Sequence, residues 1–252
     1  CPAEPAATCL TEPQLQAIQT IYRGPIGGGQ RLHPGFPFGG EADAGGWDLW
    51  ITQMQGGGLP PGVPNLHYAF GTQFAKNFVY DDPNWSYANY DFATWRERSA
   101  PAAQLLNATN PDLGKFRDAG GKLILWHGWS DAALTALSSI DYYESVERQD
   151  KMARSYFRMF LMPGVGHCGG GPGPDRADWI TAIEQWVEQD VAPEAIVAAK
   201  KDGEGNTLVE RPLCSYPQMA QYKDTGDKNA ASSFSCGVSS TSANGAETPR
   251  PR

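Results

Sequence analysis

Lys122-Leu123-Ile124-Leu125-Trp126-His127-Gly128-Trp129-Ser130-Asp131 is the stretch on which the fold turns. It follows the glycine pair Gly120-Gly121, and Leu123 to Trp126 form a continuous apolar run. A run without alternation is what a strand buried on both faces requires, as in a parallel sheet. A second run, Tyr156-Phe157-Arg158-Met159-Phe160-Leu161-Met162, ends in Pro163-Gly164-Val165-Gly166-His167-Cys168. Between the two, a helix is expected from Ser139, with Ile140, Tyr143 and Val146 inward. After the second, Asp178 is expected to cap a long helix carrying Trp179, Ala182, Ile183, Trp186 and Val187 on one face. Strand, loop, helix, strand, loop, helix is the rhythm of an α/β sheet.

Beyond Val191 the pattern reads as a hairpin, with its turn near Gly203-Glu204-Gly205-Asn206, and then a disulfide-tied loop. From Ser239 onward the chain is rich in Ser, Thr and Pro and is expected to be a disordered tail. Upstream, Thr11-Glu12-Pro13-Gln14 reads as a capping box opening a helix with Leu15, Ile18 and Tyr22 on one face, stopping near Arg23-Gly24-Pro25. Residues 27–63 are dominated by Gly, Pro and aromatics. Compact irregular structure is expected there, because disordered segments are poor in aromatics. Asn65 is a cap for a second helix with Leu66, Phe70, Phe74 and Phe78 on one face. There is no internal repeat.

The 252 residues include 29 glycines and 20 prolines, about a fifth of the chain, which rules out a coiled coil or helical bundle. Twenty basic against 28 acidic residues give a net charge of −8, with no basic cluster. That excludes nucleic acid as a partner, since phosphate binding is largely electrostatic, and disfavours anionic membranes. No apolar run approaches the roughly 20 residues that span a bilayer. Cys1-Pro2-Ala3-Glu4-Pro5 has no basic start, apolar stretch or initiator methionine, and reads as the start of a processed or truncated chain.

The five cysteines form no C-x-x-C pair, so no zinc site is expected. The spacings Cys1–Cys9 and Cys214–Cys236 suit local disulfides and hence an oxidising compartment, secreted or periplasmic. The alternative is buried thiols in a cytosolic protein. Cys168 is left over, either a free thiol or half of a bridge to something outside this chain.

In open α/β sheets, reactive groups gather beyond the carboxyl ends of the strands. Asp131 lies just past one strand end and His167 just past the next, one strand–helix–strand unit apart. Adjacent parallel strands would bring the two loops together. The aspartate would then hold the histidine in one tautomer and stabilise the imidazolium formed when it acts as a base. The alternative is a helix-capping aspartate and a turn histidine. A nucleophile is missing: there is no G-x-S-x-G elbow, and Gly128-Trp129-Ser130-Asp131-Ala132 ends in alanine, leaving Ser130 a weak candidate. Gly169-Gly170-Gly171-Pro172-Gly173-Pro174 lacks the residues of a phosphate loop. His33 and His67 stand alone as structural residues, the four histidines form no metal-spaced cluster, and no calcium loop is present.

His127-Gly128-Trp129-Ser130-Asp131, Ile140-Asp141-Tyr142-Tyr143 and the Pro163–Pro174 stretch together resemble the tannase and feruloyl esterase family, which includes mono(2-hydroxyethyl) terephthalate hydrolase. Cys9-Leu10-Thr11, Ile21-Tyr22-Arg23-Gly24-Pro25, Pro34-Gly35-Phe36-Pro37, Asp82-Pro83-Asn84-Trp85, Leu106-Asn107-Ala108-Thr109 and Arg211-Pro212-Leu213-Cys214-Ser215-Tyr216-Pro217 extend the match. The resemblance implies an α/β-hydrolase fold with an inserted lid and a serine–aspartate–histidine triad. Asp131 would be the triad acid and His167 the general base. Cys168 would bridge to a cysteine beside the serine, Cys1–Cys9 would tie the lid, and Cys214–Cys236 the C-terminal loop.

The family's serine segment, oxyanion-hole residues and calcium-binding lid loop have no counterpart here and would lie upstream. The chain therefore resembles the C-terminal half: a partial, aromatic-rich lid over residues 1–118, the C-terminal part of the hydrolase domain over 119–238, and a tail over 239–252. The sheet would lack its central strands and leave an apolar edge needing a partner. The implied function is hydrolysis of aromatic esters of gallate, ferulate or terephthalate type. The serine would come from a missing N-terminal half or a partner chain, no cofactor would be held in this chain, and the chain alone would be inactive. Trp47 and Phe70 are candidates to stack on the acyl ring, against an alternative role in the core. Two other readings are a self-contained hydrolase using Ser130 and a non-catalytic aromatic-binding fragment.

Overall fold

The computed structural model describes residues 9–52, 59 and 62–238. Helix α1 (Glu12–Arg23) opens as the capping pattern predicts: Gln14 Oε1 accepts from the Thr11 backbone N–H at 2.8 Å and from its hydroxyl at 3.0 Å. A two-residue antiparallel pair follows, β1 (Ile26–Gly27) with β2 (Gln30–Arg31). Residues 32–52 are irregular apart from a π-helical turn at Asp48–Thr52. Asn65 caps α2 (Leu66–Phe74) by accepting from the Tyr68 N–H at 2.8 Å. Phe70 of α2 is exposed, and so is Phe78, which lies beyond α2 in a π-helical turn at Ala75–Val79. Helices α3 (Trp95–Leu106) and α4 (Gly114–Asp118) complete this half.

Strands β3 (Leu123–Gly128) and β4 (Phe157–Met162) pair in parallel, with Leu123 opposite Phe157 and Gly128 opposite Met162. Helix α5 (Ala136–Gln149) connects them, starting three residues before the expected Ser139 because the Thr135 hydroxyl caps it by accepting from Leu137 N–H. Beyond β4 come β5 (Arg176–Ala177), α6 (Trp179–Gln189), β6 (Ala195–Lys201), β7 (Thr207–Cys214), β8 (Met219–Tyr222) and β9 (Phe234–Gly237). Asp178 caps α6, accepting from Thr181 N–H at 3.0 Å. The order β5-β6-β7 is antiparallel, and β8 pairs with β9. Phe160 bridges to Ser215, so the β6–β7 hairpin continues from the outer edge of β4.

The alternation of side chains along β4 splits the core in two. Phe157 and Met159 pack with Ile140, Tyr143 and Val146 of α5, joined by Leu123 and Leu125. Phe160 and Met162 point the other way, toward Ile196, Ala198, Leu213 and α6. That two-sided burial is why the run in the sequence shows no polar alternation. Trp186 is the buried anchor of α6, whereas Val187, expected on the same face, is exposed because the buried face of this helix is narrow. Among the described residues β3 pairs only with β4.

Cys214 and Cys236 are disulfide-bonded, with Cα atoms 5.6 Å apart, and fasten the end of β7 to β9. Cys168 is a free, exposed thiol among the described residues. The Cys1–Cys9 pairing and the tail from residue 239 lie outside the described residues.

Candidate active site

The site sits where β3 and β4 end. Gly128, the last residue of β3, lies directly under the histidine loop: a β-carbon there would stand 2.5 Å from both the Val165 and Gly166 carbonyl oxygens. Only glycine permits that approach. Ser130 N–H then donates to Val165 O at 3.0 Å, clamping one loop on the other. The consequence is contact between the two side chains read from the sequence. Asp131 Oδ2 and His167 Nδ1 are 3.0 Å apart.

Asp131 is almost wholly buried and its carboxylate is saturated. Oδ1 accepts the backbone N–H groups of Ala133 at 2.8 Å and Leu134 at 3.0 Å. Oδ2 faces His167 and also His127 Nε2 at 3.2 Å. Burial pushes the carboxyl pKa up. The hydrogen bonds from His127, the Leu134 amide, His167 and the Ala133 amide outweigh burial and bring the value down to about 2. The carboxylate is therefore charged throughout the neutral range.

His127 is the residue that sequence reasoning passed over. Its only signal is its place four residues before Asp131 at a strand end. Nδ1 lies 2.7 Å from Ser139 Oγ, and Nε2 lies 2.9 Å from the Leu134 carbonyl oxygen.

His167 is partly exposed, and its Nε2 has no hydrogen-bonding partner among the described residues. The edge of its ring meets Trp50, with centroids 5.5 Å apart. Trp50 in turn stacks on Phe70 at 6.0 Å and 15°. Phe70 is thus near the imidazole, through Trp50. Trp47 is not: its ring is buried against Tyr22 at 5.5 Å, so it serves the core and offers no face to a ligand. Ser130 is buried and makes no hydrogen bond to Asp131 or His167; its side chain packs against Gly40.

The irregular first half is laced to this loop. Trp129 Nε1–H donates to Phe38 O at 3.0 Å, and the Thr135 hydroxyl donates to Gly35 O at 2.7 Å. The rings of His33 and His67 reach Ser138 Oγ and Ala133 O, each at 3.0 Å, so both histidines tie the two halves together. Among the described residues no group of three or more His, Cys, Asp or Glu is placed to hold a metal ion. Among the described residues no helix is long and apolar enough to cross a membrane.

An imidazole pinned by a charged aspartate, with its other nitrogen open beside aromatic rings, is the acid–base arrangement of acyl-transfer hydrolases. The model of the family "Tannase and feruloyl esterase" matches residues 1–237. This chain belongs to the tannase and feruloyl esterase family. An uncharacterized esterase of Xanthomonas campestris is 35% identical over 279 residues, covering 94% of this chain and 48% of that protein. The mono(2-hydroxyethyl) terephthalate hydrolase of Piscinibacter sakaiensis is 48% identical over 131 residues, which cover 51% of this chain and 22% of that enzyme. The crystal structure of feruloyl esterase B from Aspergillus oryzae superposes with a TM-score of 0.79 at 25% identity, over 94% of this chain and 48% of that one. These neighbours are consistent with an α/β-hydrolase-type fold for this tannase-family chain, which spans at most about half the length of the relatives it matches.

Proposed function

We propose that this chain carries the acid and base of a serine-type carboxylic ester hydrolase acting on aromatic esters of gallate, ferulate or terephthalate type. The observation that carries this is the 3.0 Å contact between His167 Nδ1 and Asp131 Oδ2, with Nε2 left open. In this reading residues 1–118 belong to a lid, residues 119–238 to the C-terminal part of the hydrolase domain, and residues 239–252 to a tail. The nucleophile is a serine outside these 252 residues, in an upstream segment or a partner chain. Cys168, exposed beside His167, is half of a bridge to a cysteine near that serine, and the protein works in a secreted or periplasmic setting.

The reaction follows from the geometry. His167 Nε2 takes the serine proton as the hydroxyl oxygen attacks the ester carbonyl carbon. The imidazolium so formed is stabilised by the Asp131 carboxylate through Nδ1–H. Collapse of the tetrahedral intermediate breaks the C–O bond to the alcohol, which leaves with the proton from Nε2. Water, deprotonated by the same nitrogen, then hydrolyses the acyl-enzyme, and the proton returns to the serine. The Trp50–Phe70 pair offers aromatic faces to the acyl ring.

The surface supports a missing neighbour. Among the described residues one edge of β3 is unpaired, its Trp126 stacks on Trp179 of α6 at 5.6 Å between centroids, and Ile180 and Val187 of the same helix are exposed. An unpaired strand edge flanked by apolar side chains is a place for further strands to add.

The test is to produce the chain together with its upstream half and compare wild type with His167→Ala on an aromatic ester. Loss of turnover by about 10³-fold or more supports the reading. Unchanged turnover sinks it. So does a fluorophosphonate probe that labels Ser130 in the isolated chain, or phenolic-ligand binding with no hydrolysis when the upstream half is supplied.

A further inference from the structure

His127 is bound on both ring nitrogens, and its surroundings fix its proton. The Leu134 carbonyl oxygen only accepts, and at 2.9 Å it requires a hydrogen on Nε2. In the neutral ring Nδ1 is then the acceptor, and the hydroxyl of Ser139 donates to it at 2.7 Å. The Nε2–H is shared with Asp131 Oδ2 at 3.2 Å. Counting donors completes the picture. A carboxylate offers about four lone-pair sites, and Asp131 meets two amides on Oδ1 and two imidazoles on Oδ2.

We propose that His127 is a positioning residue for the Asp131–His167 pair: locked as the Nε2–H tautomer by the Leu134 carbonyl, with Ser139 holding its Nδ1, it keeps Oδ2 in the plane and rotation that present it to His167. The amides of Ala133 and Leu134 fix one carboxylate oxygen. Without His127 the other would be held by the partly exposed His167 alone, and the carboxylate would be free to rock about its Cβ–Cγ bond. The low value of the Asp131 pKa agrees, since His127 is the largest of the lowering contributions. The two histidines that reach this loop from the first half are occupied elsewhere: His33 is on Ser138 Oγ and His67 on Ala133 O. His127 touches no reacting atom, so it acts through Asp131. This role rests on the proposed ester hydrolysis for its purpose, though not for its geometry.

The experiment is proton and nitrogen NMR of the 252-residue chain, paired with ester turnover of the protein that includes its upstream half. In the wild type, nitrogen shifts should place the His127 proton on Nε2, and the His167 Nδ1–H should give a low-field, hydrogen-bonded resonance. His127→Ala should abolish that resonance and lower kcat/KM by about tenfold, the worth of one hydrogen bond to a charged group. His127→Gln, whose amide reaches as far as Nε2, should restore both, which recovery of packing alone would not do. Ser139→Ala removes only the contact on Nδ1 and leaves the Leu134 carbonyl on Nε2, so it should weaken the resonance by loosening the orientation of the His127 ring, a check that survives if His127→Ala does not fold. A proton on Nδ1 of His127, or an unaltered His167 resonance in folded His127→Ala, overturns the inference. Loss of the resonance without any His167-dependent hydrolysis would leave the positioning intact and defeat the esterase reading instead.

Discussion

Gly40 stands against Ser130 so closely that a β-carbon on Gly40 would fall 2.5 Å from the Ser130 Cβ, and its φ of +84° is one that L side chains rarely adopt. The irregular first half thus presses its backbone onto the residue preceding Asp131. Gly40→Ala should cost about 1–3 kcal/mol through strain and clash together. Because the displaced neighbour is the Asp131 loop, ester turnover of the complete enzyme should fall as well. Denaturant melts and turnover, measured side by side, check both effects.

Asp131→Asn keeps the shape and removes the charge. Turnover should drop by about 10⁴-fold, because an amide cannot hold His167 in the right tautomer or balance its imidazolium. The same substitution tests the acid stability of the fold. The folded pKa of about 2 lies below the ordinary 3.8, so the stabilisation from Asp131 is complete above about pH 4 and is lost as pH falls toward 2. The wild type should lose part of its advantage over Asp131→Asn across that window, as measured by thermal melts from pH 5 downward.

Trp50→Ala should raise KM for aromatic esters by about three- to tenfold, the range of one aromatic contact, while altering kcat less. Its ring borders His167 and stacks on Phe70. The matching change at Trp47 should instead lower stability, by about 3–5 kcal/mol, because that ring is buried. Steady-state kinetics and melts separate the two tryptophans.

Opening the Cys214–Cys236 bridge by replacing both residues with serine should cost about 3 kcal/mol, the chain entropy of a loop with a sequence separation of 22. Denaturation with and without a reductant measures it. The effect should be on stability and not on turnover, since the bridge joins β7 to β9 and touches neither Asp131 nor His167.

The strand–helix–strand unit was legible because each of its parts leaves a strong local mark. Leu123–Trp126 and, apart from Arg158, Phe157–Met162 are apolar on both faces, and Asp178 and Asn65 stand where capping side chains belong. Asp131 and His167 could be paired because strand ends place loops, and parallel neighbours place them together. The start of α5 was less visible: Thr135 competes with Ser139 as a start signal, and only tertiary contact with Gly35 decides between them. The aromatic beside His167 was harder still. Trp47 and Trp50 are three residues apart in an irregular segment with no period to read, so packing alone sorts the buried ring from the ring at the site. His127 was hidden because it lies within a strand, where a histidine reads as one more half-buried residue.

The saturated carboxylate also governs proton traffic. The four hydrogen bonds to Asp131 hold its pKa at about 2, so the hydrogen it accepts from His167 Nδ1 stays on nitrogen and a second transfer along the pair is opposed. Whatever proton the imidazole gains must therefore depart by the route it entered, so His167 works as a door with one hinge and one opening.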